Sequence, residues 1–172
     1  VNGKFLSGIM VIRFEPNPSA AQLEITTVFD NFGINQKTVN GTKSKLREAS
    51  NNNGNPQHTI SVDINVSWEN GTSVDRYGTR IRERVQGQPG VWPTYIFEIT
   101  GTWTNDFSNG ESFSYEILTP VVKKTICYFF VAGNVLIDKP SISGVLDYGN
   151  GQCDNNAIFT TSDGEVIEIS LN

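Results

Sequence analysis

The sequence predicts an all-β protein, an antiparallel meander or sandwich of long hairpins with about 10–12 strands and little or no helix. Valine and isoleucine together number 31 and threonine 15, whereas leucine plus alanine number only 12. β-Branched side chains lose χ1 freedom in helices and pack well on pleated sheets. Apolar and polar residues also alternate in many segments, and Asn-Gly pairs separate those segments, which is the pattern of half-buried strands joined by tight turns.

The alternation marks the strands in order along the chain. Phe5, Ile9 and Val11 fit one face of a first strand, and Ile60 to Ser67 alternate without interruption. A period of two places alternate side chains on opposite faces of a sheet, as one buried face requires. The other predicted strands cover residues 23–29, 95–100, 113–118, 135–137, 142–146, 158–161 and 166–171.

Asn-Gly and Asp-Gly pairs punctuate these segments. Such pairs favour type I′ turns, in which both central residues have positive φ, and the flanking segments then pair as hairpins. A single pair is equally compatible with an exposed loop, so the prediction depends on the whole set. The pairs begin at Asn2, Asn40, Asn53, Asn70, Asn109, Asn150 and Asp163.

The chain reads as one all-β domain over residues 1–172. The polar stretches 50–57 and 86–93 are predicted loops rather than domain boundaries, because a strand pattern resumes on both sides of each. The chain begins inside a strand pattern, so we expect an N-terminal tether and the first strands to be missing from it. The net charge is −5, and the pI of 4.8 disfavours nucleic-acid binding, which needs a basic surface.

One basic segment stands out in this acidic chain. Arg76, Arg80, Arg82 and Arg84 have equal parity, so a strand projects all four to one side, with the intervening acidic residues on the other. The arginines form either a solvated sheet face or a patch for an anionic sugar, a lipid headgroup or a partner protein. Arg80 and Arg82, at the middle of the set, are the candidate binding residues.

Two cysteines leave two alternatives open. Cys127 lies in a strongly β segment and Cys153 in a polar turn, so a disulfide that pins the turn to a strand is one interpretation, and two free thiols are the other. A metal site has little support, because neither a CxxC spacing nor a pair of histidines accompanies them.

Two glutamates and two tryptophans give the only enzymatic alternative. The single histidine, His58, follows a polar loop and makes a Ser-His-Asp triad hard to build. Glu98 and Glu116 lie on neighbouring predicted strands that could present both carboxylates on one face, as β-sandwich glycosidases do. Trp92 and Trp103 could stack on sugar rings. The alternative to this carbohydrate site is an ordinary solvated face.

The segment 147–156 is rich in glycine and oxygen ligands. Asp147, Asn150 and Asp154 are weak candidates for calcium, which prefers such oxygen donors. The spacing does not match an EF-hand, and a tight turn anchored by Cys153 explains the same residues. The sequence therefore predicts no cofactor, with calcium as an alternative.

The C-terminal half resembles a family of uncharacterised lipoproteins of Bacteroidota. The matching residues in the ending "DYGNGQCDNNA" are Asp147, Tyr148, Gly149, Gly151, Cys153, Asp154, Asn155 and Ala157. Cys127 in "TPVVKKTIC" and the segment "TTVFDNFGINQKTVNGTKS" match upstream parts. The resemblance implies a lipid anchor that this chain lacks, a place at the outer membrane or cell surface, and oxidising conditions that favour the Cys127–Cys153 bond. It brings no catalytic residues.

These observations predict a non-enzymatic surface domain that serves as a binding or assembly platform. Its expected partner is an outer-membrane protein complex or a surface glycan, met through a rigid sheet or a free sheet edge. The alternative is the carbohydrate-binding or carbohydrate-cleaving β-sandwich described above.

Overall fold

The computed structural model describes residues 5–88, 90–91 and 94–171, and over these residues it confirms the all-β prediction. One short 3₁₀ turn, Pro18–Ala20, accompanies the strands. The strands are β1 (Leu6–Asn17), β2 (Gln22–Ile34), β3 (Lys37–Glu48), β4 (Gln57–Trp68), β5 (Ser73–Gln86), β6 (Ile96–Phe107), β7 (Ser112–Lys124), β8 (Ala132–Lys139), β9 (Ile142–Asn150), β10 (Asn156–Thr161) and β11 (Val166–Ser170).

All eleven strands of the described residues form a single antiparallel sheet, and each pairs with its neighbours in the chain from β1 to β11. Of the two predicted arrangements, the protein therefore adopts the meander and not the sandwich. Consecutive long hairpins make this the simplest topology, because each strand pairs with the one that precedes it.

The tight turns differ from the predicted type I′ geometry. In the β4–β5 hairpin the Gly71 amide donates to the Trp68 carbonyl at 3.0 Å, and Gly71 has φ +84° while Asn70 has a negative φ. This is a type I turn followed by a glycine bulge, in which only the glycine needs positive φ. The Asn109-Gly110 and Asp163-Gly164 turns make the equivalent hydrogen bond.

The two ends of the sheet have different connections. At one end, which we call the turn end, the strands are joined by two to four residues. At the opposite loop end, the connections after β3, β5, β7 and β9 run from five to nine residues. Long connections are where binding surfaces are most often built, so the loop end is the first place to look for a site.

Glycines inside the strands bend the sheet. Asn40-Gly41, a predicted turn, instead lies within β3. Gly41 has φ +115°, and a Cβ there would lie 2.3 Å from the Asp63 carbonyl oxygen. Gly101 in β6 has φ +135°, and its Cβ would lie 2.0 Å from the Thr79 oxygen. Only glycine permits these close backbone approaches, and such kinks curve a sheet.

The bent sheet curls around one of its faces. Phe29 of β2 and Tyr148 of β9 line the same hollow, although six strands separate them in the sheet. Few of the described side chains are fully buried, and Val131 is the largest with less than 2% exposure. The accessible surface is 10761 Å², whereas a compact monomer of this mass exposes about 8,400 Å². The single sheet thus exposes more surface than a compact fold of the same mass.

Candidate functional site: a basic and apolar concave face

The central strands sort their charges by face. Register places the side chains that line the hollow on the concave face, and the alternating positions on the convex face. In β3–β7 the cations lie on the concave face and the acids on the convex face, and Lys124 is the one charged residue that departs from this rule. The concave cations of these strands are Lys37, Lys43, Lys45, Arg47, Arg76, Arg80, Arg82, Arg84 and Lys123. The convex acids are Glu48, Asp63, Asp75, Glu83, Glu98, Asp106 and Glu116.

Six of the concave residues gather near the loop end of β3, β4 and β5. We call Lys43, Lys45, Arg47, His58, Arg80 and Arg82 the basic cluster. Arg47, His58 and Arg82 lie directly opposite one another across the three strands, and Lys45 and Arg80 flank Ile60 in the neighbouring row. Adjacent strands are about 4.8 Å apart, so these cations lie within mutual electrostatic range.

The pKa values within the cluster show that its charges repel one another. Burial, then Lys45, Arg47 and Arg82, lower the pKa of His58 below 6.5. Burial, then Arg47, Lys43 and Arg82, lower the pKa of Lys45. No carboxylate is among these causes, because the acids of the same strands lie on the opposite face. The cluster therefore has a net positive charge that the described residues leave without a partner acid.

Aromatic rings of the same face support several of the cations. The Arg82 guanidinium lies 3.6 Å from the centroid of the Phe97 ring, and the Arg84 guanidinium lies 4.8 Å from that of Tyr95. Towards the turn end, Arg76 stands over Trp103 at 4.6 Å. Cation–π contacts of this kind hold a guanidinium in place without neutralising it, so the charge stays available to a ligand.

A hollow of about 830 Å³ adjoins the basic cluster. Its volume falls in the range of small-molecule sites in proteins. Lys43 and Arg80 lie at its border and belong to the cluster as well. Its apolar lining includes Ile60, Val62, Ile64, Ile99, Ile117 and Val135. The face thus offers a charged area and an apolar hollow side by side.

The structure brings some of the predicted binding residues together. Arg80 and Arg82 lie in the basic cluster, and Arg76 and Arg84 share their face, as parity predicts. Trp103 lines the hollow, and its Nε1 is buried without a hydrogen-bond partner among the described residues. Trp92 lies outside the described residues.

The predicted carbohydrate site is not assembled. Glu98 and Glu116 share the convex face, as predicted, whereas Trp103 lies on the concave face. Glu98 lies opposite Val122, and Glu116 lies opposite Thr102, four residues further along β6. That offset is about 13 Å, and paired glycosidase carboxylates are about 5–9.5 Å apart. The hypothesis that these residues line one groove is therefore wrong, because strand parity separates the acids from Trp103.

The two cysteines form a disulfide, which confirms the predicted bond, although Cys127 lies in the connection after β7 and not in a strand as its β pattern predicted. Their Cα atoms are 5.2 Å apart, and the bond ties the β7–β8 connection to the β9–β10 connection. Two lysines support the same loops. The Lys123 ammonium donates to the Cys127 carbonyl at 2.7 Å, and the Lys124 ammonium donates to the Gly151 carbonyl at 2.6 Å. Lys123 therefore has carbonyl partners, unlike the cations of the basic cluster.

The calcium candidates take part in turns. Asp147 Oδ1 accepts a hydrogen bond from the Gly149 amide at 2.8 Å, and Asp154 Oδ1 accepts one from the Asn156 amide at 3.0 Å. Asn150 ends β9 beside them. Over residues 5–88, 90–91 and 94–171, no three His, Cys, Asp or Glu side chains converge as a metal site. These hydrogen bonds are those of tight turns near Cys153, and calcium binding stays an untested alternative.

Sequence reasoning missed half of the basic cluster. Lys43, Lys45 and Arg47 have equal parity within β3, which is the same signal that the four arginines of β5 gave. From the sequence, His58 is a poor member of a Ser-His-Asp triad, and no local signal links it to these cations. Both β3 and β5 have basic residues at alternate positions, and β4 between them has a clear alternating pattern. Aligning the three strands would have placed both basic sets on one face and so predicted the cluster.

Comparison with known proteins assigns no family. No helix among the described residues is long and apolar enough to span a membrane. No protein-family model, no curated protein and no solved structure matches the chain.

Proposed function

We propose that the protein is a non-catalytic binding module that holds a negatively charged ligand on its concave face. The observation that supports this most strongly is the separation of charge: β3–β7 direct nine cations to the concave face and seven acids to the convex face. Grouping like charges on one face opposes folding. A ligand of opposite charge offsets the repulsion between these cations, which supports a role in binding anions.

The location of the module is a second part of the proposal. We propose the outer membrane or cell surface of a bacterium of the Bacteroidota, with attachment through an upstream lipid anchor. The resemblance of the "DYGNGQCDNNA" ending to lipoproteins of Bacteroidota supports this location, and the Cys127–Cys153 disulfide is in keeping with an oxidising compartment. Biotinylation of intact cells with a membrane-impermeant reagent tests it: the protein is labelled at the surface, and labelling only after lysis contradicts the location.

Three anionic probes test ligand binding: sodium pyrophosphate, polygalacturonate and sodium tetradecanoate, each titrated calorimetrically into the whole chain. We expect saturable binding of at least one probe, weakened by added sodium chloride because salt screens exposed charges. The Lys45→Gln/Arg82→Gln double variant should bind at least tenfold more weakly.

The matched control removes two charges from the other face. The Glu98→Gln/Glu116→Gln variant should bind as the unmodified protein does, since both side chains lie on the convex face. Absence of binding to all three probes, or equal loss in the two double variants, would refute the proposed function.

A further inference from the structure

The concave face is divided along the strands as well as between the two faces. The basic cluster lies towards the loop end, where Arg47, His58 and Arg82 form its outermost row. On β3 and β5 the hollow begins at Lys43 and Arg80 and extends towards the turn end, whereas on β6 and β7 it begins nearer the loop end, at Ile99 and Val121. Along β4 its floor runs through Ile60, Val62 and Ile64, so the face changes from charged to apolar in one direction.

More cations lie close together at the loop end of the concave face than at the turn end. At the turn end, Lys37 lies 5.5 Å from the Trp68 ring centroid, Lys139 lies 5.6 Å from that of Tyr115, and Arg76 lies over Trp103. At the loop end, the side chains of Lys43, Lys45, Arg47 and Arg80 make no hydrogen bond, ion pair or ring contact with the described residues. Ring contacts do not neutralise a cation, so the two ends differ in number: the basic cluster places five cations close together, whereas the turn end has Lys37, Arg76 and Lys139.

The lining of the hollow is mostly apolar, and the hollow is long. Ile99, Ile117 and Val135 approach it from β6, β7 and β8, and Val62 at its floor is only 8% exposed. Arg76 and Arg82 are six residues apart in β5, so the distance between them along the strand is about 20 Å. This is the length of an extended long-chain fatty acyl group. An apolar surface of this size, left open beside a charged group, is typical of a binding site.

We infer that the ligand is a free anionic amphiphile with a single long acyl chain, such as a long-chain fatty acid. Its carboxylate lies among Lys45, Arg47 and Arg80, and its chain follows the hollow towards Ile117. This inference rests on the proposed function and adds the chemical class of the ligand. Acidic glycans and inorganic anions satisfy the cluster but leave the hollow empty, so they are the weaker ligands.

A homologous series of fatty acids tests the inference. Octanoate, decanoate, dodecanoate and tetradecanoate are titrated calorimetrically into the whole chain, each below its micelle concentration. We expect each added methylene to tighten binding about twofold to fourfold, because burying one methylene contributes at most about 0.8 kcal/mol and the hollow is partly open. Pyrophosphate and polygalacturonate should bind more weakly than tetradecanoate.

One double variant tests contacts to the carboxylate, and one pair of single variants tests contacts to the acyl chain. Lys45→Gln/Arg47→Gln should weaken the binding of all four fatty acids by a similar factor, at least tenfold. The dependence of affinity on chain length should stay unchanged. Ile117→Gln should reduce the gain per methylene, whereas Ile81→Gln, at a half-buried position on the convex face, should not. Melting curves establish that each variant is folded. If Ile117→Gln is not folded, Ile64→Asn, which also changes the lining of the hollow, replaces it.

The failure of the inference is distinct from that of the proposed function. Equal affinity for octanoate and tetradecanoate, or tight binding of polygalacturonate without binding of fatty acids, overturns the amphiphile and leaves an anion-binding module. If no probe binds, both proposals are wrong.

Discussion

Arg82 and Glu83 are consecutive residues that carry opposite charges to opposite faces of the sheet. The Arg82 guanidinium lies over the Phe97 ring on the concave face. The Glu83 carboxylate accepts a hydrogen bond from Asn55 Nδ2 at 2.7 Å on the convex face, and this bond is the main cause that lowers the pKa of Glu83. Neither charge neutralises the other, and each is held by uncharged groups of its own face.

Because the concave cations repel one another, removing one of them should stabilise the unliganded protein. Lys45→Met keeps the apolar stem of the half-buried side chain and removes its charge, and we expect the free energy of unfolding to rise by about 0.5–1 kcal/mol. Urea denaturation at low salt measures this. Glu98→Gln on the convex face is the control, since it should not relieve this repulsion. A less stable Lys45→Met protein would contradict like-charge repulsion in the cluster.

Acidification should destabilise the folded protein through His58. Burial and nearby cations lower the pKa of folded His58 below 6.5, the value of the free side chain. Between the two pKa values the unfolded chain holds a proton that the folded chain does not. The free energy of unfolding should therefore fall as the pH falls through this window, by at most about 1.4 kcal/mol per unit.

Urea denaturation at pH 7.5 and 5.5 measures the effect. His58→Gln should remove the part that His58 contributes, since it is the only histidine in the chain. A bound anion should oppose the loss of stability on acidification, because it favours protonated His58. Affinity for tetradecanoate should therefore increase at the lower pH. Equal pH dependence in the His58→Gln variant would show that other groups cause it.

Loss of the disulfide should reduce stability through the chain entropy of the unfolded state. Cys127 and Cys153 are 26 residues apart, and closing a loop of that length stabilises by about 3–4 kcal/mol. The Cys127→Ala/Cys153→Ala variant and the reduced protein should both show this loss in urea denaturation. Reductant should not affect the double variant. An unmodified chain whose mass does not change by about 2 Da on reduction would contradict the bond.

Local sequence signals predicted most of the fold. The all-β class, the hairpins around Gly71, Gly110 and Gly164, and the shared face of the β5 arginines all follow from composition, turn residues and parity. Each of these is set by neighbours in the chain. A meander keeps partners close in sequence, which is why such signals succeed here.

The curvature and the site could not be predicted in the same way. Asn40-Gly41 has the same sequence signal as a turn, yet it lies inside β3 and bends it. Parity assigned the four arginines to one face but did not show that this face is the inner one, or that Lys45 and Arg47 lie two strands away. Those facts depend on register between strands and on the kinks that curl the sheet, and neither is encoded locally.

The kink at Gly101 should be indispensable to the hollow. A Cβ at this position would lie 2.0 Å from the Thr79 carbonyl oxygen and would force a positive φ of 135° on a side chain that rarely adopts it. We expect Gly101→Val to destabilise the protein by about 3 kcal/mol or more, because the clash is with backbone that cannot move without disrupting β5. Gly71→Asn is the matched control. Gly71 also has a positive φ, but its Cβ would point into open space, and asparagine tolerates the left-handed region, so the cost should be about 1 kcal/mol or less. Thermal and urea denaturation compare the two variants, and similar small losses in both would show that the sheet curls without the Gly101 kink.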